Sequence, residues 1–530
     1  MKLKNLFYAF ILVLSIPLSF AACSDKDDDP IDNPEPEPTD KTDNEITNEW
    51  IHDRMKRVYL WNEELPATPN YKTDPKSFFY GILYDYGKTT GDRFSWIEED
   101  ESKGTKETST GTYLGFTYLP AAYFKNIESE NSSVGFFVTS VREGSDAEKQ
   151  GLKRGHLIYQ VNNTTITGSN YQTILNKGSF DLSIYNESGA QVTLPTIQAN
   201  SSNDSPVILS KVLTENNIKI GYLMYNAFER GPEDGTTNYK YDIELIETIK
   251  DLSSKGIQEF VLDLRYNPGG YLTSAMALAS ALVPNRDTKK IFLTEEYNKY
   301  FQDSLVNKYG ANALNEYFLD RIYGTNVDIP RLDLNRLYVI ATENSASASE
   351  AVINGLKPYM TIRHVGLTTV GKDKASITIK SDDKRILWQL QPLVSRLKNA
   401  DGDGDYINGL DPNIEVSEWE ECYEMVDAYY IEDGEQVDIR VPIASPWKGG
   451  FKELGDKNEP LLAAVIADIT GVKSKTTTKS VISQGRAKLV PSIKQNESRF
   501  RAIIDETQIL RNKFRRLKGK RINPFALIPV

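Results

Sequence analysis

The stretch that decides the fold is IQEFVLDLRYNPGG, at residues 257–270. Its first half is a short apolar run with aromatic and β-branched residues, which predicts a buried strand. It ends in Asn-Pro-Gly-Gly, which indicates a tight turn because glycine adopts backbone angles that other residues avoid. We expect free backbone N–H groups at this turn, with no side chain to block a ligand that approaches them.

Strand and helix patterns alternate on both sides of this stretch. Residues 218–228 predict a strand and residues 241–256 predict an amphipathic helix. The pattern continues as a helix, a strand and a second helix over residues 271–284, 334–344 and 347–358. Alternation of this kind indicates an α/β layer fold, and we place this core at residues 206–471.

The chain before the core divides into two predicted domains. Residues 46–105 carry apolar residues three or four apart, which predicts a small N-terminal helical domain. Residues 106–203 change to a β-type period, with YLGF, then GFFVTSV, then GSDAEKQGLKRGHLIYQVNN. This order resembles a PDZ domain and therefore a β-rich insert. The resemblance implies that the loop formed by Leu114, Gly115 and Phe116 binds the terminal carboxylate of a peptide through its backbone amides.

The first residues predict an export signal. Lys2 and Lys4 precede an apolar run that ends in small residues, which is typical of a secretory signal peptide over residues 1–22. FAAC resembles a bacterial lipobox, which implies that Cys23 carries lipid and attaches the protein to a membrane. The SDKDDD that follows resembles the surface-export signal of Bacteroidetes lipoproteins. Residues 23–45 are acidic and proline-rich, which predicts a disordered tether. We therefore expect a cell-envelope lipoprotein of the outer membrane, periplasmic or surface-exposed.

The charge of the chain is uneven along its length. The 530 residues carry a formal charge of −12, which argues against nucleic acid as the main partner because phosphate binding needs a basic surface. Residues 472–530 form a basic C-terminal extension, in which fifteen Lys or Arg stand against three acidic residues. A solvated tail, a segment that packs on the body and a contact for an acidic partner all fit this composition.

A second unusual stretch is ENSASASE, at residues 343–350. It places three serines and two alanines where a strand is predicted to end and a helix to begin. A serine in the first turn of a helix lies where the helix dipole and unpaired N–H groups favour negative charge. An ordinary serine N-cap gives the same pattern, so these residues alone leave both interpretations open.

Together these motifs resemble the carboxyl-terminal processing peptidases, also called tail-specific serine proteases, over about residues 112–420. The resemblance implies a ClpP/crotonase-like α/β core with an inserted PDZ-like domain, and polypeptides as substrates. It implies Ser347 as the nucleophile and Lys372, which follows a glycine 25 residues later, as the general base. The amides that it implies for the oxyanion hole are those of Ala348, Gly269 and Gly270.

The lysine must lose its charge to act as a base. A free lysine has a pKa of about 10.4, and desolvation could lower that pKa by about 3. In much of the family a glutamine four residues later orients the lysine, but here that position is Ser376. Lys374 is an alternative base and Ser349 an alternative nucleophile. Because of Ser376, a peptide- or ligand-binding lipoprotein that does not cleave is the alternative function.

Histidine and metal chemistry have less support in the sequence. Of the three histidines, His52, His156 and His364, only His364 is a candidate base, and a structural role in its strand is preferred. The chain has no HExxH, which argues against a zinc peptidase. DGDGDYING, at residues 401–409, lacks the Gly and Glu that an EF-hand needs, so we predict a polar turn. No metal or organic cofactor is implied, and the oligomeric state is not indicated.

Overall fold

A computed structural model of the chain describes residues 41–100, 114–126, 129, 132–175, 178–199, 205–232, 238–432, 435–444, 451–472 and 502–504. The helices are α1 (Asp43–Val58), α2 (Pro75–Gly81), α3 (Asp146–Lys149), α4 (Lys240–Ser254), α5 (Leu272–Leu282), α6 (Lys299–Tyr309), α7 (Ala348–Leu356), α8 (Glu418–Cys422) and α9 (Pro460–Thr470). The strands are β1 (Trp96–Glu99), β2 (Phe116–Tyr123), β3 (Ser133–Val141), β4 (Leu157–Val161), β5 (Thr164–Thr165), β6 (Ser179–Phe180), β7 (Leu182–Tyr185), β8 (Gln191–Thr193), β9 (Ile197–Gln198), β10 (Val207–Glu215), β11 (Ile218–Tyr225), β12 (Glu259–Asp263), β13 (Gly270–Tyr271), β14 (Ile291–Tyr297), β15 (Asn315–Tyr317), β16 (Arg336–Ala341), β17 (Thr361–Gly366), β18 (Lys374–Ile377), β19 (Trp388–Gln391), β20 (Leu393–Lys398), β21 (Ile414–Glu415), β22 (Met425–Glu432), β23 (Glu435–Pro442) and β24 (Ala502–Ile504).

The core sheet has the order β10-β11-β12-β16-β17-β21, and all its pairs are parallel except β10 with β11. Along each strand, successive side chains point to opposite faces of the sheet. Leu223, Leu262 and Val339 lie in the large apolar cluster with α4, α5 and α7, while Tyr222 and Val261 pack with α9 on the other face. The predicted α/β layer fold is confirmed, because both faces of a mainly parallel sheet are covered by helices.

A second sheet stands beside the core and has the order β13-β24-β18-β20-β14-β15. Strand β13 follows the Pro-Gly-Gly turn at the end of β12, so this turn connects the two sheets. Strand β18 pairs with β20 in antiparallel fashion, and β20 pairs with β14. The second sheet therefore places the strand after the predicted catalytic lysine two positions away from the strand after the turn.

The PDZ-like domain is built on a separate small sheet. Strands β2, β3, β4, β7 and β8 are hydrogen-bonded in that order, with β5 paired to β4. Their apolar side chains enclose a core of their own, which includes Phe136, Ile158 and Leu182. The hairpin of β22 and β23 lies late in the chain, but Phe124 at the end of β2 forms a bridge with Ile443 just after it. The PDZ-like domain is thus also contacted by a segment near the end of the core sequence.

The N-terminal domain begins slightly earlier than we predicted. Helix α1 starts at Asp43, whereas the predicted tether extends to residue 45. Thr42 and Glu45 form a capping box, in which each side chain bonds the backbone of the other residue, and this stabilises the first turn. Strand β1 then pairs with β19, so the domain is joined to the core by a ladder.

Several predictions fall on residues outside those that the structure describes. These are the signal peptide over 1–22, the lipidation site Cys23, most of the tether, residues 106–113 of the PDZ-like domain, and all of the basic extension except Val472 and β24. Within the described part of the chain, no helix combines the length and apolar character that a membrane span needs.

Candidate active site

Ser347 lies in a strained turn between β16 and α7. Its backbone has φ of 60° and ψ of −109°, a conformation that non-glycine residues rarely adopt and that often marks functional sites. The residue is buried, and its Oγ has no hydrogen-bond partner among the described residues. The strained turn therefore presents an uncommitted hydroxyl at the N-terminal end of a helix, where negative charge is favoured.

The other two serines of ENSASASE have structural partners. Ser345 donates its hydroxyl to the carbonyl of Leu264 at 2.7 Å, and Ser349 donates to the carbonyl of Asn267 at 3.0 Å. Both acceptors belong to the segment that joins β12 to the Pro-Gly-Gly turn. The alternating serines thus fix the α7 turn against this segment, and Ser347 alone of the three lacks such a bond in the described structure.

The Pro-Gly-Gly turn lies directly against Ser347. Gly269 has φ of +103°, and a Cβ added there would lie 2.8 Å from the Cβ of Ser347, so only glycine fits this close approach. The Gly269 amide donates to Oδ1 of Asn267 at 2.9 Å. The amide of Gly269 is therefore already used, and the remaining predicted oxyanion donors are the amides of Gly270 and of Ala348, the first residue of α7.

Glu350 connects the two halves of the site. Its Oε2 accepts the backbone N–H of Ser347 at 2.7 Å and that of Lys372 at 2.9 Å. Its Oε1 accepts the N–H of Gly371 at 2.7 Å and the hydroxyl of Thr369 at 2.5 Å. Burial raises the pKa of Glu350, and these four donated hydrogen bonds oppose that rise. The backbones of the predicted nucleophile and base therefore converge on a single carboxylate oxygen.

Lys372 lies in a buried loop that the N-terminal domain supports. Its side chain is buried, and its Nζ lies 5.4 Å from the centre of the Phe94 ring. Arg93 donates to the carbonyls of Gly371 and Ile407 at 3.0 and 2.9 Å. Gly371 has φ of +85°, and a Cβ there would meet the Ile407 carbonyl at 2.3 Å. The glycine before the lysine is thus required by close packing of the loop.

Ser376 contacts a glutamine from a different strand. Nε2 of Gln391, in β19, donates to Oγ of Ser376 at 3.0 Å, and both residues are buried. Oε1 of Gln391 in turn accepts from the hydroxyl of Thr378 at 2.6 Å. Ser376, which stands at the sequence position of the family glutamine, is therefore hydrogen-bonded to a glutamine 15 residues further along the chain.

The alternative bases Lys374 and His364, and the other two histidines, all have other contacts. Lys374 forms an ion pair with Asp373 at 2.5 Å. His364 lies in β17, where its Nε2 is 3.1 Å from the carbonyl of Ala341, and burial lowers its pKa. His52 contacts the Tyr71 hydroxyl in the N-terminal domain. His156 forms a bond with Glu187 in the PDZ-like domain.

A buried ionic cluster supports the Pro-Gly-Gly turn from behind. Arg265 is fully buried and bonds three carboxylates, those of Asp263, Glu418 and Glu459. Burial alone would raise the pKa of Glu459, but Arg265 holds that pKa below its usual value. Glu418 also accepts from Arg154 of the PDZ-like domain at 2.8 Å. Each of these buried charges has a partner of opposite sign, so removal of any one of them would leave an uncompensated buried charge behind the turn.

A cavity of about 250 Å³ lies between the PDZ-like domain and the core. Its lining includes Thr117 and Leu119 of β2 on one side and Tyr266 and Pro268 before the Gly-Gly turn on the other. The predicted carboxylate-binding loop lies at the start of the same strand. Gly115 there has φ of +77°, and a Cβ on it would meet Ser145 at 2.8 Å.

Sequence reasoning missed several residues that position this site. Glu350 had a signal, because glutamate three residues after a helix-capping serine is a known pattern at helix starts. Arg93, Phe94 and Gln391 had none, because they come from distant segments and have no recognisable spacing to the serine or the lysine. Residues 401–409 form turns whose amides at Asp401 and Asp403 donate to Asn399, and no cluster of potential metal ligands occurs in the described part of the chain.

The chain is similar to known proteins over its described domains. Residues 219–416 match the description "Peptidase family S41", residues 47–96 match "Peptidase S41 N-terminal domain", and residues 108–176 match "PDZ domain". A CtpA-like serine protease of Staphylococcus aureus is 23% identical over 328 residues, which are 61% of this chain and 56% of that relative. The chain thus spans little more than half the length of this relative.

Two other similar proteins are matched over a larger share of this chain and of their own length. The carboxy-terminal processing protease CtpA of Bacillus subtilis is 22% identical over 372 residues, 69% of this chain and 68% of that protein. The crystal structure of an S41 protease from Bacteroides fragilis superimposes with a TM-score of 0.59 at 26% identity. That superposition covers 80% of this chain and 98% of the other.

Proposed function

The chain belongs to peptidase family S41, and on that premise we propose that it is a serine endopeptidase that cleaves extended or unfolded polypeptides near apolar C-termini. We assign Ser347 as the nucleophile and Lys372 as the general base. The observation that carries the proposal is the convergence of the backbone N–H groups of Ser347 and Lys372 on Oε2 of Glu350, beside a serine hydroxyl with no partner in the described structure.

The first half of the reaction forms an acyl-enzyme. The neutral amine of Lys372 takes the proton of Ser347 while Oγ attacks the carbonyl carbon of the scissile bond. The developing oxyanion accepts hydrogen bonds from the amides of Ala348 and Gly270, which approach it without a blocking side chain. The lysine ammonium then gives its proton to the leaving amine, and the C–N bond breaks. Water, activated by the same lysine, hydrolyses the ester in the second half.

To act as the general base, Lys372 must hold a neutral amine when it takes the serine proton. The side chain lies in a buried site beside Phe94, and removal from water disfavours the charged ammonium. Lys374 is a poorer candidate, because its Nζ is already paired with the carboxylate of Asp373. We propose that Ser376, held by Gln391, orients the lysine in place of the family glutamine.

The cavity between β2 and the Pro-Gly-Gly turn suggests a path for the substrate. An extended peptide can add to an exposed strand edge while its carboxylate is held by backbone amides of a glycine-containing loop. We propose that the loop of Leu114, Gly115 and Phe116 receives the C-terminus of the polypeptide. The cavity, which is lined by Thr117 next to this loop and by Pro268 next to Gly269, would then lead the chain towards Ser347.

The cellular setting is a further part of the proposal. The apolar leader and FAAC motif favour attachment to a membrane through lipid on Cys23, as a cell-envelope lipoprotein of the outer membrane. The chemistry proposed for Ser347 and Lys372 uses no metal or organic cofactor. A binding protein that does not cleave is the second candidate, and the observation that favours it is Ser376 at the position of the family glutamine.

The test is hydrolysis of an unfolded protein with an apolar C-terminal tail. We expect Ser347→Ala and Lys372→Ala to lose at least about a hundredfold in kcat/KM, because each removes a group that takes part in the reaction. Ser349→Ala and Lys374→Ala are matched controls and should stay within about tenfold of wild type. Binding of the tail without cleavage by the wild type between pH 6 and 10 would instead favour the second candidate.

A further inference from the structure

Two strands of the candidate site, β13 and β18, are separated in their sheet by the width of a single strand. Strand β13 begins directly after Gly269, and β18 begins two residues after Lys372. These strands are not neighbours in their sheet. Strand β24, Ala502–Ile504, lies between them and is hydrogen-bonded to both.

The register of β24 is defined on both sides. On one side Ala502 pairs with Gly270, and Ile503 pairs with Tyr271. On the other side the same Ile503 pairs with Ser376. Both pairings are parallel, so one short segment of the basic extension forms ladders with the strand after the turn and with the strand after the lysine.

This position is where a substrate strand is expected to bind. Two strand edges that face each other present N–H and C=O groups that require a partner, and an extended peptide supplies one. Gly270, opposite Ala502, follows Gly269, and Gly269 packs directly against Ser347. A substrate that reaches Ser347 in extended form must therefore use the backbone groups that β24 already uses.

The geometry points to Ala502–Ile504 as an intramolecular competitor of substrate, so that cleavage requires release of this segment from the site. This inference rests on the proposed function, because it identifies what occupies the substrate position in the resting protein. A competitor of this kind raises KM and leaves kcat unchanged, since substrate at saturation displaces it fully.

The net charges of the C-terminal extension and of the rest of the chain also favour binding of β24 to the site. The whole chain carries −12 and residues 473–530 carry +12, so the remainder carries −24. Opposite charge on the extension and on the rest of the chain favours their association, and added salt weakens that attraction. Because β24 belongs to the same chain, about thirty residues after α9, its effective concentration at the site is on the order of millimolar.

The test uses substitutions in the full chain. Ile503→Pro/Ile504→Pro removes two of the three N–H groups of β24, because proline cannot donate to a ladder. We expect KM for an unfolded substrate to fall about tenfold with kcat unchanged. This is the effect of losing a competitor whose effective concentration is about ten times its dissociation constant for the site. The matched control is Thr476→Pro/Thr477→Pro, which should behave as wild type. An unchanged KM in the β24 variant would overturn the inference.

A second measurement separates this inference from the proposed function. In the Ser347→Ala protein, hydrogen exchange at Ala502–Ile504 should be slow and should accelerate when saturating substrate peptide is added. Exchange that is already fast, or that peptide does not change, contradicts the inference even if the wild type cleaves. Displacement of the segment by peptide, with no cleavage by wild type or by the proline variant, would support the inference and refute the proposed peptidase activity.

Discussion

Replacement of Glu350 by glutamine should damage the site with little change in shape. The carboxylate accepts four hydrogen bonds, three of them from backbone N–H groups, through two oxygens. A glutamine offers a single oxygen, so its NH2 group must face at least one N–H donor. Its least unfavourable orientation directs the nitrogen to Thr369, whose hydroxyl can turn to accept, and leaves the Gly371 amide without an acceptor.

The magnitude follows from these contacts. A hydrogen bond to a charged group contributes about 1.5–3 kcal/mol and a neutral one about 0.5–1.5 kcal/mol, so one bond is lost and three are weakened. Relief from burying a charge offsets part of this, and we expect a net decrease of about 2–4 kcal/mol in the free energy of unfolding. Because the loop that carries Lys372 then shifts relative to Ser347, kcat/KM should fall about a hundredfold.

The assay is denaturant unfolding together with peptide hydrolysis, with Glu343→Gln as the matched control. Glu343 lies at the start of the same stretch, and burial raises its pKa to about 7, so its neutral form is already populated near neutral pH. Glutamine there should change both quantities little. If Glu350→Gln keeps its stability within about 0.5 kcal/mol and its kcat/KM within threefold of wild type, the bridging role of this carboxylate is refuted.

Three other predictions concern groups around the site. Arg93→Ala removes the hydrogen bonds to the carbonyls of Gly371 and Ile407 and should lower kcat about tenfold. Arg57→Ala, which removes an ion pair with Asp53 within α1, is the neutral control. Gln391→Leu removes the donor to Ser376 and should lower kcat/KM by about tenfold and shift its pH dependence, whereas a packing defect alone would leave the pH profile in place. Burial raises the pKa of Asp242 to about 7, so the folded state holds a proton there that the unfolded state releases above about pH 4. The stability that Asp242 contributes is thus lost as pH rises through 7, and Asp242→Asn should stabilise the protein at pH 8 but not at pH 5 in denaturant titrations.

The parts of the fold that could be predicted were those with local signals. The strand over residues 257–263 and the glycines after it define the end of β12 and the turn, because an apolar run and a Pro-Gly-Gly combination act within one segment. The PDZ-like insert was predictable for the same reason. The resemblance of Ser347 and its flanking residues to a peptidase motif is likewise contained in a few consecutive positions.

The parts that could not be predicted depend on contacts between distant segments. Gln391 meets Ser376 only because β18 and β19 come together, and Arg93 meets Gly371 only because the N-terminal domain docks on the lysine loop. The two residues of each pair have no characteristic separation in the sequence that would have indicated the contact. The placement of β24 between β13 and β18 is similar, since a basic composition indicates attraction to the body but no register.

The central claim is that Ser347 is the nucleophile and Lys372 its base, and covalent labelling tests it most directly. The wild-type protein is treated with a serine-directed phosphonate over a range of pH, and the adduct is located by mass spectrometry. We predict one adduct, on Ser347, that forms faster as pH rises and at least about a hundredfold more slowly in Lys372→Ala, but at a near-normal rate in Lys374→Ala. An adduct on Ser349, or a rate that does not depend on Lys372, would contradict the account.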